Sequence, residues 1–331
     1  MAEPLEGRSM KVSVVIPTLN AGPSFRDLLE KVRFQEGGFE VEVVVVDSGS
    51  TDGTVELARS YGARVHRIPK SEFDHGATRN LGVSLSTGEL VVLAVQDAVP
   101  LDGRWLAAMV EDLERDDLVA GVYGRQVPHP HAGAMTRVLV GNLASASLER
   151  REQFIDDPES YRRLPPIKRR RLAAFDNVSS CLRRSVWEEI PFERTNFGED
   201  MRWAKRVLEA GYKTIYEPRS AVFHSHERGA LYDLKRYYVD QRLLLDLFGL
   251  ARAPSLVRLL MTIPGASMHL YRLLRRDAEL AKKGAPLLVL LALKHAIPAQ
   301  LGSYLGARSG TLARISPRAF EKMHRFLSKG V

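Results

Sequence analysis

Apolar and polar positions divide the N-terminal part of the chain into short alternating segments. Two valine-rich runs, at residues 11–16 and 41–46, predict buried strands, and residues 63–68 predict a third, shorter strand. After the first run, apolar side chains recur with the spacing of one helical face, at Phe25, Leu28, Leu29 and Val32. A second helix is predicted at residues 54–61. The order strand, helix, strand, helix, strand predicts a doubly wound α/β sheet of mostly parallel strands flanked by helices.

A further buried strand is predicted at residues 90–95, and it ends at a carboxylate. The strand stops at Gln96-Asp97, and Pro100 prevents its continuation. In open α/β sheets, ligands bind at the carboxyl ends of the strands. We therefore expect Asp97 to lie in the functional site.

The loops after the first two strands argue against two common nucleotide-binding folds. Asp47 follows the second strand, where a dinucleotide-binding fold places the carboxylate that holds the ribose. The first loop, residues 17–20, lacks the Gly-x-Gly-x-x-Gly pattern of that fold, and the chain has no Gly-x-x-x-x-Gly-Lys phosphate loop. A sugar nucleotidyltransferase would also need a glycine-rich loop here. Residues 47–54 instead combine turn residues with a helix N-cap at Ser50, Thr51 or Asp52.

Residues 73–82 hold aspartate, histidine, arginine and asparagine close together, which two interpretations explain. One is a capped helix with a solvated polar edge. In the other, Arg79 and Asn80 face a nucleotide at the helix N-terminus, where the helix dipole favours anions.

Four motifs occur in the order and spacing of a known enzyme family. They are Val14–Asn20 (VVIPTLN), Val45–Thr54 (VVDSGSTDGT), Ala77–Asn80 (ATRN) and the strand that ends at Asp97. Over residues 10–230 the chain thereby resembles family 2 of the inverting glycosyltransferases, which have the GT-A fold. The run 73–80 together with residues 96–98 most resembles the rhamnosyltransferase branch, which uses dTDP-rhamnose.

The resemblance implies a site for a nucleotide-sugar. Asp47 would accept a hydrogen bond from the base N3–H, because a fixed carboxylate recognises the imide of uracil or thymine and rejects the edge of adenine. Arg79 would approach the phosphates. The base and ribose pocket would be lined by Pro17, Thr18 and Asn20. The other expected donor-site residues are Ser48, Asn80 and Gln96.

The resemblance also implies a metal site at Asp97, which matches the last residue of the family's Asp-x-Asp motif and would bind Mg²⁺ or Mn²⁺ on the diphosphate. This chain departs from the motif, since Val95 replaces its first aspartate. One carboxylate suffices only when phosphate oxygens and waters complete the coordination, as Mg²⁺ allows. His224 would join the metal or the diphosphate, as in some family members; the alternative is that His224 and His226 are structural.

Glu199 and Asp200 are expected in the first turn of a helix, directly after Gly198. The helix dipole alone can account for acids there. In the family this pair supplies the general base, normally its second member, here Asp200. An acceptor hydroxyl is a poor nucleophile until a carboxylate takes its proton, and one base opposite the leaving diphosphate gives inversion. The acceptor is expected at Asn177, Ser179 and Trp203.

Composition restricts the partners of the chain. Its 48 Lys and Arg outnumber 40 Asp and Glu, for a net charge of +8, which favours phosphorylated, nucleic-acid or anionic-lipid partners. Only two aromatic residues lie near the basic clusters 162–163 and 168–171, which argues against nucleic acid. The single cysteine, Cys181, is expected to be buried and inert, and it fits a cytoplasmic setting.

The C-terminal residues 231–331 are helical by pattern, with basic residues beside the apolar faces. The longest apolar run, residues 285–292, is shorter than the roughly 20 residues needed to span a bilayer. This region fits a basic amphipathic helix that binds the inner face of a membrane. It fits equally a helical packing domain that forms a homo-oligomer. A membrane-surface enzyme would suit a polyprenyl-linked acceptor.

These observations predict a flexible leader at residues 1–9, a nucleotide-sugar-binding half at 10–125, an acceptor-binding half at 126–230 and the helical region 231–331. The function expected is inverting transfer of a sugar, rhamnose from dTDP-rhamnose first of all, to a saccharide or lipid-linked saccharide. A UDP-hexose-dependent enzyme and a catalytically silent sugar- or lipid-binding module remain alternatives.

Overall fold

The computed structural model describes residues 10–330, so the leader expected at residues 1–9 lies outside the described part of the chain. These residues form one nine-stranded sheet. Its strands are β1 (Met10–Thr18), β2 (Phe39–Asp47), β3 (Arg64–Arg67), β4 (Leu90–Ala94), β5 (Val99–Pro100), β6 (Val119–Val127), β7 (Arg151–Gln153), β8 (Ser179–Arg183) and β9 (Lys213–Phe223).

Fourteen α-helices accompany the sheet within residues 10–330. They are α1 (Ser24–Arg33), α2 (Thr54–Ser60), α3 (His75–Leu85), α4 (Trp105–Arg115), α5 (Ala134–Gly141), α6 (Pro158–Arg163), α7 (Pro166–Leu172), α8 (Arg184–Glu189), α9 (Glu199–Glu209), α10 (Ala230–Phe248), α11 (Leu256–Leu274), α12 (Ala278–Ala281), α13 (Ala285–Ile315) and α14 (Pro317–Ser328).

The chain divides into two compact units. The first contains the described residues up to Val127, Asn142–Arg163 and Leu172–His224, and it holds the whole sheet. The second contains Pro128–Gly141, Leu164–Arg171 and the described residues from Ser225 onward. The division of the sheet-containing part into donor and acceptor halves stays a prediction.

The sheet of the first unit is mixed and runs in the order β3-β2-β1-β4-β8-β6-β9-β5, with β7 paired to β9. The first four strands pair in parallel, as the alternation of strands and helices predicts. Strand β8 then runs antiparallel to both β4 and β6. The expected α/β class is thereby confirmed.

Two hydrophobic cores cover the faces of the sheet, because side chains alternate between the faces along each strand. On β1, Val12, Val14 and Ile16 face helices α1, α2 and α4, whereas Val15 faces α3, α8 and α9. The apolar face of α4, formed by Trp105, Met109, Val110 and Leu113, packs into the first core. Cys181 is fully buried there too, and burial raises the pKa of its thiol.

The N-cap expected at Ser50, Thr51 or Asp52 is wrong by one residue. Helix α2 begins after Gly53, whose φ of 86° is in the left-handed region that glycine tolerates. Asp52 still contributes, since its carboxylate accepts from the Thr54 backbone N–H at 3.1 Å.

The second unit is helical, and its longest helix is α13. A Cβ at Gly302 would lie 2.3 Å from the Leu234 carbonyl, so small residues of α13 allow close packing against α10. The apolar run expected to be too short to span a bilayer is the start of this 31-residue helix. By length and composition α13 could cross a membrane, with a mean hydropathy of 1.4 and 33% of that window buried. Core helices of soluble proteins meet the same criterion.

Candidate active site

The loops after β1 and β2 are joined through the Asp47 carboxylate, which is completely buried. One oxygen accepts from the hydroxyls of Thr18, at 3.0 Å, and Ser50. The other accepts from the backbone N–H groups of Gly49 and Ser50 at 3.1 and 3.0 Å and lies 3.7 Å from Arg67 Nε. Asp47 therefore shapes the turn that follows its own strand.

Hydrogen bonding keeps Asp47 ionised. Burial alone would raise the pKa of this carboxyl, but the bonds from Ser50, Gly49 and Thr18 outweigh burial and hold the pKa below its usual value. A nucleobase N3–H, the partner expected from the sequence, would have to share oxygens that already accept from several donors.

Other expected donor residues fix the same two loops. Exposed Asn20 has a φ of 47°, and its Oδ1 accepts from the Thr51 backbone N–H at 2.9 Å. Buried Ser48 donates its hydroxyl to the Thr18 carbonyl at 3.0 Å. Partly exposed Pro17 lies at the carboxyl end of β1 beside them. The loops thus form a preformed rim at the carboxyl edge of the parallel strands.

Gln96 ties the loop after β1 to the strand that ends at Asp97. Its side-chain oxygen accepts from the Leu19 backbone N–H at 2.8 Å, and its nitrogen lies 3.3 Å from the Leu19 carbonyl. Both amide atoms are therefore used on the backbone. This contact explains why a glutamine stands at the middle position of the family's Asp-x-Asp motif, from which this chain departs.

Asp97 and His224 lie together at the ends of β4 and β9. His224 Nε2 is 3.9 Å from Asp97 Oδ1, and the Asp97 side chain is 23% exposed. A carboxylate suits both Mg²⁺ and Mn²⁺, whereas an imidazole nitrogen is a ligand of transition metals such as Mn²⁺ rather than of Mg²⁺, and the remaining exposure leaves room for phosphate oxygens and waters. The pair is therefore a candidate site for a divalent cation.

Sequence reasoning missed two residues that hold His224. Gln126 Oε1 lies 2.9 Å from His224 Nδ1, and Gln126 Nε2 donates to the Asp176 carboxylate. Both residues are distant in sequence from His224, and strands β6 and β9 bring them together. Their sequence neighbourhoods carry no motif that could have revealed the contact.

Glu199 and Asp200 occupy the first turn of α9, as predicted, after Gly198 with a φ of 73°. Glu199 is buried and lies 3.1 Å from Arg79 Nη1, and Asn177 donates to it at 3.2 Å. Asp200 is partly exposed and accepts from the Met201 backbone N–H at 2.7 Å. The two neighbouring carboxyls therefore have different surroundings.

The surroundings move the two pKa values in opposite directions. Burial would raise the pKa of Glu199, but Arg79 and His75 outweigh it and lower that pKa. Burial, with the charges of Glu199 and Asp176, raises the pKa of Asp200 to about 8. A carboxyl whose ionised form is disfavoured is a stronger base, so Asp200 has the character that proton abstraction requires.

Arg79 and Asn80, expected at the nucleotide, have partners inside the protein. Arg79 is only 5% exposed and pairs with Glu199. Asn80 donates to the Phe192 carbonyl at 2.8 Å and accepts from the Phe192 N–H and the Trp187 indole. The run 73–80 thus supports the segment that leads into α9, because buried polar groups require such partners.

The expected acceptor residues are also engaged inside the protein. Trp203 is fully buried in the core and donates its indole N–H to the Ile190 carbonyl at 2.8 Å, so its surface is not open to a sugar. Ser179 accepts from the Trp105 indole at 2.8 Å. Asn177 is 1% exposed and positions Glu199. Packing and hydrogen bonding explain all three residue types at these positions.

Two solved structures share this architecture. Residues 1–349 of Staphylococcus aureus TarS give a TM-score of 0.52 at 17% identity, over 89% of this chain and 90% of that chain. The mannosyltransferase PcManGT from Pyrobaculum calidifontis, solved with GDP-Man and Mn²⁺, gives 0.50 at 21% identity, over 97% and 85%. At these identities the likeness concerns the fold, which is of the GT-A type expected for a glycosyltransferase.

Sequence relatives define the family. The chain is 29% identical to the O-antigen chain rhamnosyltransferase RfbN of Salmonella typhimurium over 94% of both chains. It is 30% identical to WbaN of Salmonella anatum, also an O-antigen chain rhamnosyltransferase, over 68% of this chain and 70% of that protein. Residues 13–176 match the description Glycosyl transferase family 2. The chain belongs to this family and is a glycosyltransferase.

Proposed function

We propose that this glycosyltransferase moves L-rhamnose from dTDP-rhamnose, with inversion, onto a saccharide or polyprenyl-linked saccharide during polysaccharide synthesis. The observation that carries the mechanism is Asp200, a basic carboxyl in the first turn of α9. Support for the donor comes from the likeness to RfbN over nearly the full length of both chains. The name of WbaN, also an O-antigen chain rhamnosyltransferase, supports rhamnose as the sugar.

Asp200 takes the proton of the acceptor hydroxyl as that oxygen bonds to the anomeric carbon of the donor sugar. The bond from this carbon to the diphosphate breaks on the opposite face, and dTDP leaves with the electron pair. Asp97 and His224 are the residues that would hold Mg²⁺ or Mn²⁺, which supplies positive charge to the leaving diphosphate when bound. Glu199 stays ionised against Arg79, and its charge helps to raise the pKa of Asp200.

Binding of the donor is the first thing to test, by thermal unfolding with dTDP, UDP, GDP or ADP, each with EDTA or Mn²⁺. A ligand that binds only the folded state raises the melting temperature. We expect the largest rise with dTDP and Mn²⁺, followed by turnover of dTDP-rhamnose with release of dTDP. A rise only with UDP would favour the UDP-hexose alternative, and nucleotide binding without turnover would favour the silent binding module.

We also infer that the second unit binds an anionic membrane surface through α11. Five large apolar side chains on this helix are between 49% and 67% exposed: Leu256, Val257, Leu260, Met261 and Met268. The helix has no acidic residue, and Arg258, Arg272, Arg275 and Arg276 on it or directly after it are exposed. An apolar face with only basic charge beside it complements anionic lipid, whereas two such faces would repel each other in a dimer.

Co-sedimentation with vesicles tests this surface. The intact chain should bind phosphatidylglycerol-containing vesicles and not pure phosphatidylcholine. The double change Leu260→Glu, Met261→Glu should reduce binding about tenfold or more, because two apolar side chains no longer insert. Phe34→Glu is the matched control, since Phe34 is 73% exposed but lies in the first unit. A vesicle-independent dimer that the double change dissociates would assign the face to a homo-oligomer instead.

A further inference from the structure

His224 is held by a chain of three polar side chains in the first unit. Asp176 accepts from the Val178 backbone N–H at 2.9 Å through one oxygen and from Gln126 Nε2 through the other. Gln126 then presents its Oε1 to His224 Nδ1 at 2.9 Å. Gln126 is 6% exposed and His224 9%, so water competes little for these contacts.

Each bond in this chain can be made in only one direction. The Asp176 carboxylate accepts on both oxygens, so the Gln126 amide must turn its NH₂ group toward it. The Gln126 oxygen is then left facing the imidazole, and an oxygen can only accept. His224 must therefore carry its proton on Nδ1 when the ring is neutral, and Nε2 holds a lone pair on the side of Asp97.

We propose that Gln126, oriented by Asp176, is a positioning residue that fixes His224 in the Nδ1–H tautomer and aims Nε2 as a ligand toward the site at Asp97. The inference deepens the proposed function, since it rests on a divalent cation that shares Asp97 and His224 with a diphosphate. Partners of this kind orient a ligating histidine and strengthen its bond to the metal.

The backbone supports the same arrangement. The His224 N–H donates to the Val127 carbonyl at 2.9 Å, and Gln126 pairs with Val222 across β6 and β9. Gln126 and His224 are therefore carried by adjacent strands of one rigid sheet. Replacement of Gln126 should therefore change which nitrogen of the His224 imidazole carries the proton more than it changes where the imidazole lies.

The test compares Gln126→Leu with Gln153→Leu. Gln153 is an equally buried glutamine, 5% exposed, which bonds Tyr123, Ala174 and Thr214 instead of His224. Both variants lose buried hydrogen bonds and should unfold at lower temperature. Only Gln126→Leu should weaken Mn²⁺ binding in the presence of dTDP, by about 10–100-fold, measured from the free Mn²⁺ spin-resonance signal.

The tautomer is read separately, on the ligand-free protein, from the ¹⁵N shifts of the labelled His224 ring. We expect a protonated Nδ1 and an unprotonated Nε2 in the unaltered chain and in Gln153→Leu, and a mixture of tautomers in Gln126→Leu. An Nε2–H ring in the unaltered chain, or equal Mn²⁺ affinity in both variants, would overturn the inference. If dTDP binds without Mn²⁺, the role toward a metal fails while the donor assignment stands.

Discussion

The loop after β2 and the first turn of α9 both surround a carboxyl group with protein atoms, but they shift the pKa of their aspartates in opposite directions. Around Asp47, hydroxyl and backbone donors occupy both oxygens and lower the pKa. In α9 Arg79 pairs with Glu199 and lowers its pKa together with His75, and Asp200 is left with a raised pKa of about 8. The first region uses its carboxylate to build a loop, and the second keeps one carboxyl ready to accept a proton.

The comparison shows that residue type does not assign a role. Asp47 and Asp200 are both aspartates within short acidic motifs, and sequence alone gives both a direct contact with substrate. Their hydrogen-bond partners separate them, because a fully bonded carboxylate is a poor base and an underbonded one is a better base. The same conservative change at each position should therefore have different consequences.

The largest effect is expected for Asp200→Asn. An amide of the same shape cannot take the acceptor proton, so turnover should fall by about 10²–10⁴-fold. Steady-state kinetics with dTDP-rhamnose and a saccharide acceptor measures the loss. Nucleotide binding, followed by thermal stabilisation with dTDP, should persist; unchanged turnover would remove Asp200 from the mechanism.

The next largest effect concerns Arg79, the arginine that pairs with Glu199. Arg79→Met leaves the Glu199 charge buried without its partner, which should cost about 3–5 kcal/mol of unfolding free energy. Urea unfolding measures this change. Arg163→Met is the matched control, because its pair with Glu159 is shorter, 2.7 Å, but mostly exposed. That change should cost under about 1 kcal/mol, and an equal loss in both variants would contradict the importance of burial.

The sequence predicted the strands and helices better than it predicted the contacts between polar side chains. Valine-rich runs located β1, β2 and β4 because buried strands require apolar residues at every position. The glycine before Glu199 located the start of α9 for a local reason, since the left-handed conformation favours glycine. Such signals are confined to neighbouring residues, so they can be read without a structure.

The partners of polar side chains could not be predicted in this way. Arg79 meets Glu199 and Gln126 meets His224 only because distant segments fold together. The position of Arg79 near a helix N-terminus suggested phosphate, but its side chain turns into the protein, where burial favours pairing with a carboxylate. Trp203 likewise lies on the side of α9 that faces the core. Which side of the helix this one residue occupies could not be predicted from the sequence.

A moderate effect is expected for Asp47→Asn. Asparagine keeps only one accepting oxygen, so either the N–H groups of Gly49 and Ser50 or the hydroxyls of Thr18 and Ser50 lose their acceptor, and leaving such donors unsatisfied costs about 1–3 kcal/mol. Thermal unfolding measures the loss, and dTDP binding should weaken with it because the loop is displaced. Asp52→Asn, at an exposed position in the same loop, serves as the control and should cost less.

The most specific effect is on the pH dependence of turnover and of stability. Asp200 must be ionised to act as a base, so turnover should rise with pH and level off above about pH 8, falling about tenfold for each unit below.

The free energy of unfolding should instead decrease as the pH rises. An unfolded aspartate has the ordinary pKa of 3.8, so between about pH 4 and pH 8 only the folded state binds this proton. The contribution of Asp200 to stability is then complete below this range and is lost as the pH rises through it. Asp200→Asn should remove that decline, whereas Asp47→Asn should leave it in place. Parallel pH curves for the unaltered chain and Asp200→Asn would contradict the raised pKa and, with it, the contrast between the two regions.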